Sequence, residues 1–79
     1  MRTLAAELSS LRREMRQAAS EPEQDIAVGQ VAAAEKAAQN ADAGAVLRHL
    51  KGVGKWALDV ATRIGVNVAS ETIKKSAAL

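Results

Sequence analysis

Apolar residues recur at helical spacing near the N-terminus. They follow each other at alternating steps of three and four residues, so they share one face of an α-helix. In heptad terms this face has two seam positions, occupied by Met1, Leu4, Leu8, Leu11, Met15 and Ala18. We predict an amphipathic helix over residues 1–20. It either forms a coiled-coil-like seam with a second chain, where Glu7 would face Arg12 of the partner, or packs on the rest of its own chain.

A proline marks the end of this first helix. Pro22 does not continue a preceding helix comfortably, and Ser20 followed by Glu23 has the spacing of a capping box. We therefore expect the first helix to end near Ala18–Ala19 and a second helix to span Glu21–Asn40. The second helix carries a narrow apolar stripe made of alanine and valine, namely Ala27, Val31, Ala34, Ala38 and Ala41.

The last third of the chain has the densest run of branched apolar residues. They again follow at steps of three and four, at Val46, Leu50, Val53, Ala57, Val60, Ile64 and Val68. Gly52, Gly54 and Gly65 each cost about 1 kcal/mol relative to alanine inside a helix. They either let a neighbouring helix approach closely or end one helix before another begins. Because the stripe keeps its phase, we favour one long helix that is continuous or kinked.

A short polar turn separates the second helix from the last. Asn40 can cap the outgoing helix and Asp42 the incoming one. A connection this short predicts an antiparallel hairpin, with Glu21–Asn40 lying against Ala43–Gly65. The predicted fold class is therefore all-α: an N-terminal helix at residues 1–20, followed by a helical hairpin module at residues 21–79.

Composition indicates association with other chains. The 79 residues include one Trp, no Phe and no Tyr, so the side chains available for a core are small. A chain of this length buries only about 60% of its unfolded surface, and without cysteines no disulfide compensates. We expect copies of the chain or a partner protein to complete the interior. The residues assigned to this interface are Leu4, Leu8, Leu11, Met15, Trp56, Val60, Ile64, Val68 and Ile73.

Charge is segregated along the chain although the net charge is only +2. Residues 21–43 are acidic, whereas residues 1–20 and 44–79 are basic. An acidic middle helix suits packing against a basic last helix, or complementarity between subunits. No apolar run reaches the roughly 18–20 residues of a membrane-spanning helix, and no signal peptide is visible, so we expect a cytoplasmic protein.

One stretch resembles known sequences. The block AAAEKAA is followed by a short turn and by GKWALDVATRIGVNVASETIKKSAAL. This combination resembles a helical C-terminal segment of uncharacterised bacterial proteins with a GKWxLDxATxIGVxVA-like pattern. The resemblance covers Ile26–Leu79 and leaves out Met1–Ser20. It implies a bacterial origin and a small accessory module, and it carries no assigned activity.

No motif for catalysis, a cofactor or a metal emerges from the sequence. His49 is the sole histidine, and Thr62 and Ser70 have no base at helical spacing. The stretch Gly52–Lys55 lacks the full G-x-x-x-x-G-K-[ST] pattern of a phosphate-binding loop and any preceding strand. No spacing supports a metal site. We therefore expect a protein that is not an enzyme and holds no cofactor.

Trp56 leads to two hypotheses about function. In the first it anchors an interface, and the chain is a non-enzymatic oligomerisation or scaffold module that assembles with itself or with a partner protein. In the second it lies at a membrane surface, and a basic ridge binds anionic bilayers. That ridge consists of Arg48, Lys51, Lys55, Arg63, Lys74 and Lys75. Asp59 and Glu71 interrupt it and no aromatic residues interleave, which argues against nucleic-acid binding.

Overall fold

The computed structural model describes residues 1–78, which form α-helices joined by short turns. The five helices are α1 (Arg2–Ala18), α2 (Pro22–Gln39), α3 (Ala43–Leu50), α4 (Gly54–Ile64) and α5 (Asn67–Ala77). No strand occurs within this range. The all-α prediction is therefore confirmed.

The junction between α1 and α2 is organised by Pro22. Proline occupies the first position of α2. A backbone N–H at this position has no acceptor within the helix, so its absence from proline costs no helical hydrogen bond. Glu21 is consequently the N-cap, and Gln24 stands at the third helical position. The Gln24 Oε1 atom accepts hydrogen bonds from the backbone N–H groups of Ser20, at 2.8 Å, and Glu21, at 3.2 Å. The predicted helix ends are correct, but the predicted Ser20–Glu23 capping pair is wrong by one residue.

The turn between α2 and α3 is closed by backbone and side-chain hydrogen bonds. Ala41 adopts a left-handed φ of 56°. The N–H groups of Asp42 and Ala41 donate to the carbonyls of Ala37 and Ala38, at 2.9 and 3.0 Å, as in a Schellman motif. The Asp42 carboxylate accepts a hydrogen bond from Ala45 N–H at 3.1 Å. Asp42 thus caps α3, as predicted.

The prediction of one long last helix is wrong, because the segment forms three helices. Gly54, with φ 87°, begins α4, and Gly65, with φ 79°, follows its last residue. Only glycine adopts such angles without steric cost, and they redirect the chain. Val66 N–H donates to Ala61 O at 3.1 Å, which completes a C-terminal cap before α5 begins. The apolar stripe did not reveal the breaks because α3 and α4 turn it toward the same interior.

All five helices contribute to one hydrophobic core. Its fully buried larger apolar side chains are Leu8, Leu11, Met15, Val31, Val46, Leu50 and Val60. Helix α2 packs mainly against α1 and α3, and its buried alanines allow both to approach closely. The Cα radius of gyration is 10.8 Å, below the value of about 11.6 Å typical of a globular domain this long. The helices of one chain therefore enclose these core residues, and the association of the chain with other copies or with a partner stays a prediction.

Candidate interaction surface

The residues predicted to form an interface divide between the interior and the surface. Leu8, Leu11, Met15, Val60 and Ile73 are buried; Leu4, Trp56 and Ile64 are half-buried; Val68 is exposed. The leucine face of α1 thus packs on its own chain, which is the second of the two alternatives for this helix. The alanines of α2 explain the outcome, because they let α1 approach closely enough to bury that face. The half-buried and exposed members remain accessible to another molecule.

Two charged side chains of α1 bind within the chain. The Glu7 carboxylate accepts a hydrogen bond from Ala69 N–H at 2.9 Å and so caps the N-terminus of α5. Arg12 donates to Glu35 of α2 at 2.5 Å, with 22% and 12% of the two side chains exposed. The expected contact of Glu7 with Arg12 of a second chain is wrong for this fold, since both side chains have partners in their own chain.

The Arg12–Glu35 pair joins the acidic middle helix to the basic first helix, not to the basic last segment. Its hydrogen bond raises the pKa of Arg12 above the ordinary value for arginine, and partial desolvation opposes the effect. A raised pKa in the folded state stabilises the fold at every pH below the unfolded value. This contribution is lost only as the pH rises through the folded pKa, so the Arg12 charge persists at neutral pH.

The side chains considered for catalysis do not come together. His49 is exposed on α3. The Thr62 hydroxyl donates to Leu58 O at 2.9 Å and the Ser70 hydroxyl to Val66 O at 3.0 Å, so both bind the backbone of their own helical turn. Within residues 1–78, no three His, Cys, Asp or Glu side chains are grouped to hold a metal ion.

A cleft of about 390 Å³ separates the beginning of α2 from the turn between α3 and α4. We call it the Ile26–Trp56 cleft. One wall belongs to α2 and consists of Glu23, Gln24, Ile26, Ala27 and Gln30; the other is the continuous stretch Gly52–Trp56. Ile26 is 63% exposed, Trp56 is half-buried, and Val53 is buried between them and the core. The cleft therefore presents large apolar groups to solvent on both walls.

The two walls carry opposite charges. Glu23 lies on the α2 wall and Lys55 on the opposite wall, and both are exposed. In the part of the chain that the structure describes, neither forms an ion pair within 4 Å. The cleft thus has an acidic side, an apolar middle and a basic side.

The sequence pattern indicates a role for Trp56 but not for Ile26. Ile26 lies outside the alanine-valine stripe of α2 and shares its side of the helix with Glu23 and Gln30, three positions before and four after. A large apolar residue among polar neighbours was the available signal. Its importance depends on Trp56 lying across the cleft, thirty positions further along the chain.

Comparisons with known proteins do not identify the chain. No protein-family model matches it, and no curated protein or solved structure is significantly similar to it. The resemblance of Ile26–Leu79 to a bacterial helical segment stays a prediction. No helix within residues 1–78 combines the length and apolar character needed to cross a bilayer. Function is therefore inferred from the geometry of the Ile26–Trp56 cleft.

Proposed function

We propose that this chain is a non-enzymatic helical oligomerisation module whose copies associate in pairs through the Ile26–Trp56 cleft. The observation that carries the proposal is the pair of apolar side chains, exposed Ile26 and half-buried Trp56, set between opposite charges on the two walls. Aromatic and large aliphatic side chains at the centre of a surface are typical anchors of protein interfaces. A cytoplasmic location is part of the same proposal.

A second copy of the chain is the partner we propose, because the acidic, apolar and basic parts of this surface are complementary in charge to the same surface of another copy. In a symmetric dimer the same patch meets itself after a two-fold rotation. The α2 wall of one copy then faces the α4 wall of the other, so Glu23 lies opposite Lys55 and Ile26 opposite Trp56. Both charge pairs are satisfied simultaneously, and the apolar groups leave water together.

The size of the surface sets the expected strength. A standard interface covers about 800 Å² per partner, which is about a sixth of the 4622 Å² surface of this chain. The cleft is lined by ten of the residues that the structure describes, whereas a standard interface has about 20–30 residues on each side. We therefore expect a weak, reversible dimer with a dissociation constant of about micromolar order, and a mixture of monomer and dimer in solution.

A charge-swap experiment tests the proposal. Glu23→Lys and Lys55→Glu each place like charges opposite one another in the dimer, so each single variant should be monomeric. The double variant Glu23→Lys/Lys55→Glu restores opposite charges and should recover the dimer. Sedimentation equilibrium over a range of concentrations measures the association, and circular dichroism establishes that every variant retains its helices.

Ile26→Asp and Val68→Asp form a matched pair for the apolar part of the surface. Both positions are exposed, at 63% and 43%, so neither change disturbs the core. Ile26→Asp should abolish the dimer, whereas Val68→Asp on α5 should leave it unchanged. A dimer that survives Ile26→Asp, or that only Val68→Asp disrupts, would contradict the proposed contact surface.

The membrane hypothesis makes a different prediction for the same protein. Binding through Trp56 and the basic ridge would float the chain with vesicles of anionic lipid and shift Trp56 fluorescence to the blue. Glu23 on the opposite wall disfavours contact with an anionic surface, so we expect neither effect. A monomer that co-floats with the vesicles would replace the oligomerisation proposal by a membrane-active effector.

A further inference from the structure

A second depression, of about 280 Å³, lies on the other side of the turn between α3 and α4, against the C-terminal half of α5. We call it the lysine groove. Its apolar lining consists of Leu50, Val53, Leu58, Ile73 and Ala77, and its charged lining of Lys51, Lys55 and Lys74. Among residues 1–78, no acidic side chain lines it. The groove therefore combines an apolar floor with three cationic side chains.

The cationic side chains are available to a ligand. Lys51 and Lys55 form no ion pair within residues 1–78, and Lys74 lies 3.5 Å from Glu71 in a pair whose side chains are 57% and 75% exposed. Such an exposed pair contributes little and exchanges readily with another anion. Lysine side chains also carry apolar methylene stems that cover a bound hydrocarbon chain while their ammonium groups stay in water.

The floor of the groove is already formed in the free chain. Leu50, Val53 and Ile73 are 1%, 5% and 3% exposed because they are packed into the core. Leu58 is half-buried and supplies apolar surface at the opening. The apolar surface that a ligand can reach therefore belongs mainly to half-buried Leu58 and exposed Ala77, which lie over this fixed layer of core side chains. Few apolar side chains become ordered on binding, which keeps the entropic cost low.

We propose that the lysine groove binds a single-chain aliphatic anion, with the hydrocarbon on the apolar floor and a carboxylate among the lysines. The groove is small, at about 280 Å³, so we expect a ligand with a single hydrocarbon chain. An amphipathic helix would require an extended groove with anchors over several turns.

Most residues of the lysine groove do not belong to the proposed dimer surface. Within the described residues, the two depressions have Val53, Gly54 and Lys55 in common. Lys51 and Lys74 line the lysine groove alone. A variant changed at these two positions leaves both walls of the Ile26–Trp56 cleft intact, so it should dimerise like the unmodified chain.

Titration with sodium decanoate below its micelle concentration, followed by NMR of backbone amides and methyl groups, tests the proposal. We expect saturable shifts centred on Leu58, Ile73 and Lys74. Decylammonium has the same chain with the opposite charge and should bind at least about tenfold more weakly. Added salt should weaken decanoate binding, because the lysines are exposed to solvent.

Charge-neutralising variants locate the site. Lys51→Gln/Lys74→Gln should raise the dissociation constant of decanoate about tenfold. Lys36→Gln/Lys75→Gln removes the same charge from two exposed lysines outside the groove and should have little effect. Absence of saturable shifts, equal binding of decylammonium, or equal weakening by both double variants would overturn the proposal. Shifts centred on Ile26 and Trp56 would also overturn it.

Discussion

One carboxylate connects the first helix to the last. Glu7 lies on α1 and accepts the hydrogen bond of Ala69 N–H, at the third position of α5. The N-cap residue of α5 is Val66, which has no side-chain acceptor for the exposed N–H groups of that helix end. A residue sixty-two positions away therefore performs the task that a neighbouring serine or aspartate usually performs.

Replacing Glu7 tests this long-range cap. Glu7→Ala should lower the free energy of unfolding by about 1 kcal/mol, because Ala69 N–H loses its acceptor. Glu7→Gln should lower it less, since the amide oxygen still accepts but the negative charge at the helix N-terminus is lost. Urea denaturation followed by circular dichroism measures both changes.

Glu14→Ala is the control for this prediction. Glu14 is an exposed carboxylate on the same helix and, within residues 1–78, forms no ion pair. Its removal should change stability by no more than about 0.5 kcal/mol. Equal losses for Glu7→Ala and Glu14→Ala would mean that the contact with Ala69 does not stabilise α5.

At the scale of the elements, glycine acts differently according to its backbone angle. Gly65 follows α4 in the left-handed region, whereas Gly29 lies inside α2 with no atom within 4 Å of the position of an added Cβ. An added Cβ at Gly65 also meets no atom within 4 Å. Any cost at Gly65 therefore arises from the backbone and not from a steric clash with the core.

The same substitution should consequently have opposite effects at these two positions. Gly65→Ala should lower the free energy of unfolding by about 1 kcal/mol, because alanine is strained in the left-handed region. Gly29→Ala should raise it by about 0.5–1 kcal/mol, because alanine favours a helix interior. Thermal and urea denaturation measure both. Stabilisation by Gly65→Ala would instead indicate that α4 and α5 join in one continuous helix.

At the scale of the whole molecule, the core and the proposed contact surface are separate. Leu11 is fully buried within one chain, whereas Ile26 is 63% exposed. The chain should therefore remain folded when it does not associate. Ile26→Asp should unfold cooperatively at a midpoint that does not change with protein concentration, since no association contributes to its stability.

Leu11→Ala distinguishes an internal core from a seam between chains. It should lower the free energy of unfolding by about 2–5 kcal/mol, as cavity-forming substitutions do. The loss should be equal in the unmodified chain and in the Ile26→Asp background, because the two residues are not in contact across a shared surface. A Leu11→Ala protein that stays fully stable but no longer forms a dimer would indicate instead that the leucine face of α1 packs against a second chain.

Much of the local structure could be predicted because it depends on residues a few positions apart. The end of α1 follows from Pro22, the start of α3 from the Asp42 cap, and the buried face of α2 from the spacing of its alanines and valine. The first two features are set by backbone angles and hydrogen bonds within one or two turns of helix. For the third, the spacing determines which α2 side chains share one face of the helix.

The tertiary structure decided every feature that depends on which residues pack against each other. Periodicity places Leu8 and Leu11 on one face but does not say whether that face meets its own chain or another; the close approach of α2 resolves it. Gly65 is compatible with a helix interior or with a helix end, and in the structure its left-handed angle follows the last residue of α4. Ile26 and Trp56 form one cleft only because the fold brings distant segments together. The spacing of residues along a helix specifies the face on which each side chain lies, whereas the burial of that face depends on contacts between residues far apart in the chain.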